Sequence, residues 1–301
     1  MVPPGRAPAT RVPSIIVHGG AGAQPTEGDE EVHEAMRAAA LAGWRVLAAG
    51  EPSLDAVEAA VRVLEDHPRF NAGRGSVLTA AGTIEMDASI MEGDRLRCGA
   101  VAGVARIANP VGLARAILED GRHVLLVADG ALAFARTRGI PECDPESLVT
   151  ERQRRRHAER AARAEPVGGT VGAVALDRQG TIAAATSTGG LAGKLPGRAG
   201  DSALIGCGTY ADSTLGGVSC TGDGEAIIRA VLARRALDYL KEAHEPDYAA
   251  RVAVDLLVEE GRGEGGLILL DWRGRAGYAH STPLMPVALM SPAHAEPSLP
   301  F

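Results

Sequence analysis

A threonine placed to act as an acyl-transfer nucleophile stands near the middle of this chain. Thr170 follows Gly168-Gly169 and heads the alternating run Thr170-Val171-Gly172-Ala173-Val174-Ala175-Leu176-Asp177. Before it lies a polar segment, Glu151 to Glu165, carrying Arg152, Arg154-Arg155-Arg156, Arg160 and Arg163. A strand that opens abruptly on Gly-Thr after such a segment suggests a cleavage site between Gly169 and Thr170. A mid-chain threonine hydroxyl has no base of its own, whereas a threonine at a new N-terminus carries an α-amine beside its hydroxyl. That amine has a reference pKa of about 8, so part of it is free base at neutral pH and can take the hydroxyl proton. The same residues also read as a strand-opening threonine after a flexible turn.

A second run, Thr181-Ile182-Ala183-Ala184-Ala185-Thr186-Ser187-Thr188, follows the short connection Asp177-Arg178-Gln179-Gly180, which predicts a hairpin. It leads into Thr188-Gly189-Gly190, then Leu195-Pro196-Gly197-Arg198-Ala199-Gly200-Asp201-Ser202, then Ser219-Cys220-Thr221-Gly222-Asp223-Gly224-Glu225. Upstream stand Val17-His18-Gly19-Gly20-Ala21-Gly22 and Phe70-Asn71-Ala72-Gly73-Arg74-Gly75. In this order and at this spacing the six pieces resemble the isoaspartyl peptidase/L-asparaginase family, the plant-type asparaginases among N-terminal-nucleophile threonine hydrolases. The resemblance covers roughly residues 14 to 290.

The resemblance implies an autoprocessing amidohydrolase that cleaves isoaspartyl (β-aspartyl) peptides and the side-chain amide of L-asparagine, releasing L-aspartate. It implies an α/β fold, the four-layer αββα sandwich of the N-terminal-nucleophile hydrolases. Residues 1–169 would form one subunit, with a mobile linker over about 136–169, and residues 170–301 the other, together one domain. Two such heterodimers would associate. Thr188 would hydrogen-bond near the nucleophile and tune it; taken alone it is a strand threonine. Thr221, through its hydroxyl, and Gly222, through its N–H, look like the oxyanion donors, and losing one such donor costs ~10²–10³ in rate. The same stretch also reads as a helix N-cap.

Arg198 and Asp201 would anchor the free α-carboxylate and α-ammonium of an aspartyl group, presenting its β-carbonyl to Thr170. Their bland alternative is a surface salt bridge. Gly224 would lend backbone contacts to the substrate ammonium, and Asn71 would hold the loop under the nucleophile. No catalytic cofactor is expected. The resemblance implies a structural sodium ion held by the backbone carbonyls of Leu64, Glu65, His67, Phe70, Ala72 and Arg74, a set with almost no side-chain signature. His18, at a strand end, reads as a packed structural histidine.

Gly168 stands where the family commonly has a polar residue, and Ala192-Gly193 where larger or polar residues are frequent. Glycosylasparaginases usually show His-Asp before the threonine and a His-Gly-Arg loop, against Gly-Gly and Leu-Pro-Gly-Arg here. Taspase-type endopeptidases usually lack the combined Thr-Gly-Gly and Gly-Asp-Ser pieces. A glycine-rich α/β protein that only binds ligand would need a phosphate loop, and neither GxGxxG nor GxxxxGK[ST] occurs in the right context.

Composition bounds these readings. At 301 residues the chain can bury a substantial core, and a net charge of −7 argues against a nucleic-acid binder. Cys98, Cys143, Cys207 and Cys220 form no CxxC pair, which suits reduced cysteines and a cytoplasmic enzyme. No apolar stretch is long enough to predict a membrane span, and no signal peptide is visible. Aromatic residues are only 3%, so the core must be built from Val, Leu, Ile and Ala.

The elements that must position these groups alternate. Strands are expected at 14–18, 77–79, 84–90, 99–106, 124–127, 203–207 and 217–220, besides the 170–188 hairpin and a second hairpin, 266–271 with 276–280. Helices are expected at 30–49, at 54–66 with Ser53 as N-cap, at 110–120 with proline in the first turn, at 225–243 and at 248–260. Sheets covered by helices follow from this order.

Overall fold

The computed structural model describes residues 11–22, 29–160 and 169–300. Its centre is the expected hairpin. Strands β5 (Val171–Leu176) and β6 (Ile182–Thr188) pair antiparallel, Val171 opposite Ser187 and Leu176 opposite Ile182. Around them the larger sheet runs in the order β11 (Val287–Met290), β1 (Ser14–His18), β5, β6, β2 (Met86–Glu92), β3 (Arg97–Val104), β4 (Leu125–Val127). Among the described residues only β3 with β4 pairs parallel in this sheet.

Every residue of β5 and β6 is buried, because both faces of the hairpin are covered. Strand alternation decides which face each side chain takes. Ala173, Ala175, Ala183 and Ala185 share a core with Met36, Ala39 and Ala40 of helix α1 (Asp29–Ala48) and Val57, Ala60 and Val61 of α2 (Ser53–Asp66). Val174, Leu176, Ile182 and Ala184 point the other way, onto Ile268 and Leu270 of a second sheet. That sheet runs β10 (Ala276–His280), β9 (Gly265–Asp271), β8 (Gly216–Gly222), β7 (Thr209–Asp212). Its far face, Val218, Cys220, Leu267 and Leu269, packs on α7 (Leu232–Ala243) and α8 (Pro246–Glu259). Helix α3 (Pro110–Asp120), with proline in its first turn, adds Val111, Ala114 and Leu118 to the first core. All four cysteines are free. Among the described residues no helix is long and apolar enough to cross a membrane.

Within the stretch expected to be a linker, α4 (Ala128–Thr137) reaches in, then come a 3-10 turn (Pro145–Leu148) and α5 (Glu151–Arg160). Leu148 is buried, and the buried Gln153 side chain donates to the Gly75 carbonyl at 2.7 Å. Arg152 donates to the Arg69 carbonyl at 2.8 Å, so α5 is pinned to the loop that carries Asn71. Arg163, Glu165 and Gly168 lie outside the described residues.

Several expectations are corrected. The helix expected over 225–243 breaks at Val231, which takes φ 50° and ψ 49° between α6 (Gly224–Ala230) and α7. The break turns the first N–H groups of α7 onto a neighbouring turn: Ala233 N donates to Cys207 O and Arg234 N to Gly206 O, each at 2.9 Å. The strand expected at 203–207 is a 3-10 turn, Asp201–Ala203, and the strand starts instead at Thr209. Ser53 is the first helical residue of α2 rather than its cap. Asp177, from the β5–β6 turn, accepts the Ser53 N–H at 3.0 Å in the cap's place. Residues 77–79 contribute only an isolated bridge, Leu78 to Ile84, and β2 begins at Met86. Strand β11 and helix α4 were not anticipated.

Candidate active site

Antiparallel pairing places the start of β5 beside the end of β6, and so Thr170 beside Thr188. The Thr170 hydroxyl donates to Thr188 Oγ1 at 3.1 Å. Thr188 Oγ1 donates to the Gly169 carbonyl at 3.0 Å and accepts the Gly190 N–H at 2.9 Å. A hydroxyl has one proton and two lone pairs, and all three are used here. The Thr170 proton is thereby directed away from the Gly169 carbonyl, leaving an oxygen lone pair free. Thr170 is 5% exposed and Thr188 2%, so water competes little for these bonds.

Asn71 completes the cradle. Its Nδ2 donates to the Gly169 carbonyl at 2.8 Å and to the Gly190 carbonyl at 2.7 Å, while its Oδ1 accepts the Val77 N–H at 2.8 Å. The carbonyl before Thr170 thus accepts two hydrogen bonds, from Asn71 and Thr188. Gly20 packs on the same peptide with φ +105°; a Cβ there would lie 3.0 Å from both Gly169 Cα and Thr170 N, so only glycine fits.

Thr221 and Gly222 close β8, the strand of the second sheet that packs over β5 and β6. The buried Thr221 Oγ1 accepts the Ala21 N–H at 3.0 Å, which leaves its proton to donate elsewhere. Gly222 has φ +138°, and a Cβ there would sit 2.3 Å from the Glu264 carbonyl. Gly169, Thr170, Thr188, Arg198, Asp201 and Gly222 all line one small pocket, together with Gly190 and Leu191.

Arg198 and Asp201 do not form the surface salt bridge that was the alternative reading. Asp201 is 4% exposed, and its Oδ2 has no hydrogen-bond partner among the described residues. Burial pushes its carboxyl from 3.8 up to about 7, and the nearby Arg198 offsets only part of this. Arg198 is engaged by another residue: Nε and Nη2 donate to the two carboxylate oxygens of Glu225 at 2.9 and 2.7 Å. Burial opposes the charge of Arg198, but Glu225 outweighs it and holds the guanidinium firmly protonated. Gly224 opens α6 between these groups; a Cβ on it would meet Arg198 Nη2 at 2.7 Å and Asp201 Oδ1 at 2.8 Å.

Three residues of this neighbourhood were missed by sequence reasoning. Glu225 follows the Gly-Asp-Gly piece directly, and its carboxylate near an arginine-bearing loop was the available signal. Asp87 lies opposite Thr188 in the sheet and accepts the Gly200 N–H at 2.8 Å, tying the Arg198–Asp201 loop to β2. Lys194, 6% exposed, donates to the Glu85 carbonyl at 2.8 Å, and burial lowers its pKa. Nothing in the spacing marked either of these two.

His18 is fully buried. Its Nε2 meets Ser219 Oγ at 2.8 Å, and that hydroxyl in turn meets Thr186 Oγ1 at 2.8 Å. Nδ1 has no hydrogen-bond partner among the described residues. Burial lowers its pKa to about 3, which the Thr170 backbone offsets only in part, so the ring is neutral at physiological pH.

The 64–74 loop is closed by its own amides. The carbonyls of Leu64, Glu65 and His67 accept the N–H groups of His67, Arg74 and Phe70 at 3.4, 2.7 and 3.3 Å. Each of these three carbonyls keeps a second lone pair, the kind of oxygen donor a hard cation takes.

Comparison with known proteins places the whole assembly. A family model described as "Asparaginase" matches residues 11–297. The chain is 46% identical over 270 residues to an isoaspartyl peptidase/L-asparaginase of Danio rerio, covering 87% of each chain. It is 47% identical over 268 residues to that of Xenopus laevis, again 87% of each. It is 43% identical over 302 residues to the plant-type L-asparaginase of Pyrococcus abyssi, 94% of this chain and 98% of the relative. The chain belongs to the asparaginase family, as its ordered Thr170, Thr188, Arg198–Asp201 and Thr221–Gly222 pieces imply.

Proposed function

We propose that this protein is an autoprocessing threonine hydrolase of β-aspartyl amides, cleaving isoaspartyl peptides and the side-chain amide of L-asparagine to release L-aspartate. The observation that carries it is one pocket holding a proton-donating Thr170 hydroxyl, a doubly hydrogen-bonded Gly169 carbonyl and a buried carboxylate with an unpartnered oxygen. The names of its relatives support the substrate class.

In maturation the Thr170 oxygen attacks the Gly169 carbonyl carbon. Asn71 and Thr188 stabilise the oxyanion, and the C–N bond breaks as nitrogen takes the proton. Water then hydrolyses the ester, leaving a Gly169 carboxylate and a free Thr170 amine. In turnover that amine takes the hydroxyl proton as the oxygen attacks the substrate β-carbonyl, with Thr221 and Gly222 as oxyanion donors. The protonated amine returns its proton to the leaving nitrogen, ammonia or the next residue's amine. Water then releases aspartate from the threonine ester. Asp201 holds the substrate ammonium and Arg198 its carboxylate, with Glu225 keeping the guanidinium aligned.

The packing of helices on the outer faces of two stacked sheets supports the four-layer αββα sandwich of N-terminal-nucleophile hydrolases. Residues 1–169 and 170–301 would remain associated, since β5 and β6 sit between β1 and β2. Association of two heterodimers, a cytoplasmic site of action and a sodium ion on the 64–74 carbonyls belong to the same reading. The ion would supply loop rigidity under Asn71 and no chemistry. The reading is tested by incubating purified protein with asparagine and an isoaspartyl dipeptide and measuring free aspartate. Release from neither substrate overturns it.

A further inference from the structure

Beyond the catalytic pocket lies a wider groove of about 890 Å³, a volume within the range typical of small-molecule sites. The two share Leu191 and Gly222, so the groove opens directly off the point where a leaving group must depart. Its charges are unequally committed. Asp223 caps α6 by accepting the Ala226 N–H at 3.3 Å, and Glu225 is neutralised by Arg198. Among the described residues Arg262 makes no hydrogen bond or ion pair, and it lines this groove. Arg262 also holds φ +52° between Gly261 and Gly263, a conformation that glycine would adopt more easily. Backbone strain kept at an unpaired cation beside an active site points to a role for its side chain. Val258 and Pro283 give the groove an apolar wall, and Glu264 gives it a negative edge.

We infer that this groove is the leaving-residue subsite and that Arg262 binds the free α-carboxylate of the amino acid released from an isoaspartyl dipeptide. The inference rests on the β-aspartyl reading above and adds to it the side of the scissile bond that Arg198 and Asp201 do not touch. Asparagine, whose leaving group is ammonia, gains nothing from the subsite. A dipeptide gains a charge-assisted pair, and its side chain meets Leu191, Val258 and Pro283. Glu264 disfavours an acidic side chain in the same place.

The test compares kcat/KM for β-aspartyl-leucine and β-aspartyl-leucinamide, with asparagine as reference, in the wild type and in Arg262→Asn. Asparagine tolerates a left-handed backbone, so the substitution removes the charge without new strain. The wild type is expected to prefer the free acid over the amide by about tenfold, the effect of one charged hydrogen bond, and the variant to lose that preference. Arg262→Lys should restore part of it. Hydrolysis of asparagine without an acid-over-amide preference in the wild type overturns the subsite and leaves the β-aspartyl reading standing. An equal preference in wild type and Arg262→Asn does the same. No hydrolysis of any of the three substrates by the wild type overturns both.

Discussion

Replacing Asp201 by asparagine should make the protein more stable at neutral pH and nearly inactive. The carboxyl is 4% exposed, one oxygen lacks a partner, and burial raises its pKa from 3.8 to about 7. Between those values the unfolded chain is ionised at this position while the folded protein still holds the proton. Stability therefore falls as pH rises through that window, by about 1.4 kcal/mol per pH unit and ~4 kcal/mol in all. Asparagine has nearly the same shape and does not ionise, so this loss disappears. Below the window the wild type is neutral in both states, and the variant has no advantage there; an unsatisfied amide would cost it ~1–3 kcal/mol. The stability difference between variant and wild type should thus climb by several kcal/mol from about pH 4 to pH 7 and then level off. Denaturant unfolding at a series of pH values measures it. The same variant should lose ~10²–10³ in kcat/KM on asparagine, because the substrate ammonium has lost its counter-charge. A stability difference that stays flat with pH would refute the view of Asp201 as a desolvated carboxylate awaiting a cation.

Arg198→Ala should lower kcat/KM on asparagine and on isoaspartyl dipeptides alike by ~10²–10³, since both present the same carboxylate. The fold should survive, because the Glu225 side chain is 48% exposed and regains water; near-normal efficiency would place the anchor elsewhere. His18 has its pKa lowered from 6.5 to about 3, so the unfolded state takes up a proton that the folded state refuses. Its contribution to stability is therefore lost as pH falls from about 6.5 toward 3. His18→Gln should flatten that acid limb in unfolding experiments and leave the pH–activity profile of fully cleaved protein in place. Loss of turnover in the cleaved variant would call for a histidine-assisted mechanism.

Much of the candidate site was legible because its parts lie in short pieces whose chemistry is local. Thr170 heads a strand-forming run, and the short turn Asp177–Gly180 fixes the register that sets Thr188 beside it. The partner of Arg198 was not legible. Glu225 and Asp201 are both acidic and near it in space, and only the buried placement of Asp201 leaves Glu225 to take the guanidinium. The break at Val231 carries no glycine or proline; it is imposed by the turn carbonyls of Gly206 and Cys207 that receive α7. The arginine-rich segment before Thr170 hid the buried Gln153, since composition averages away the few residues that dock a polar helix. Ser53 lost its expected capping role to Asp177, a residue 124 positions away. Contacts of that kind follow from the sheet and have no sequence signature.

Every step of the proposed turnover depends on Thr170 becoming an N-terminus. Intact-mass analysis with N-terminal sequencing, on the wild type and on Thr170→Ala after the same incubation, tests this most directly. The wild type should yield two fragments, the second beginning at Thr170, and aspartate release should track their appearance. Thr170→Ala should remain a single chain without activity. Cleavage of that variant at the same bond, or full activity in an uncleaved wild-type chain, would contradict the account.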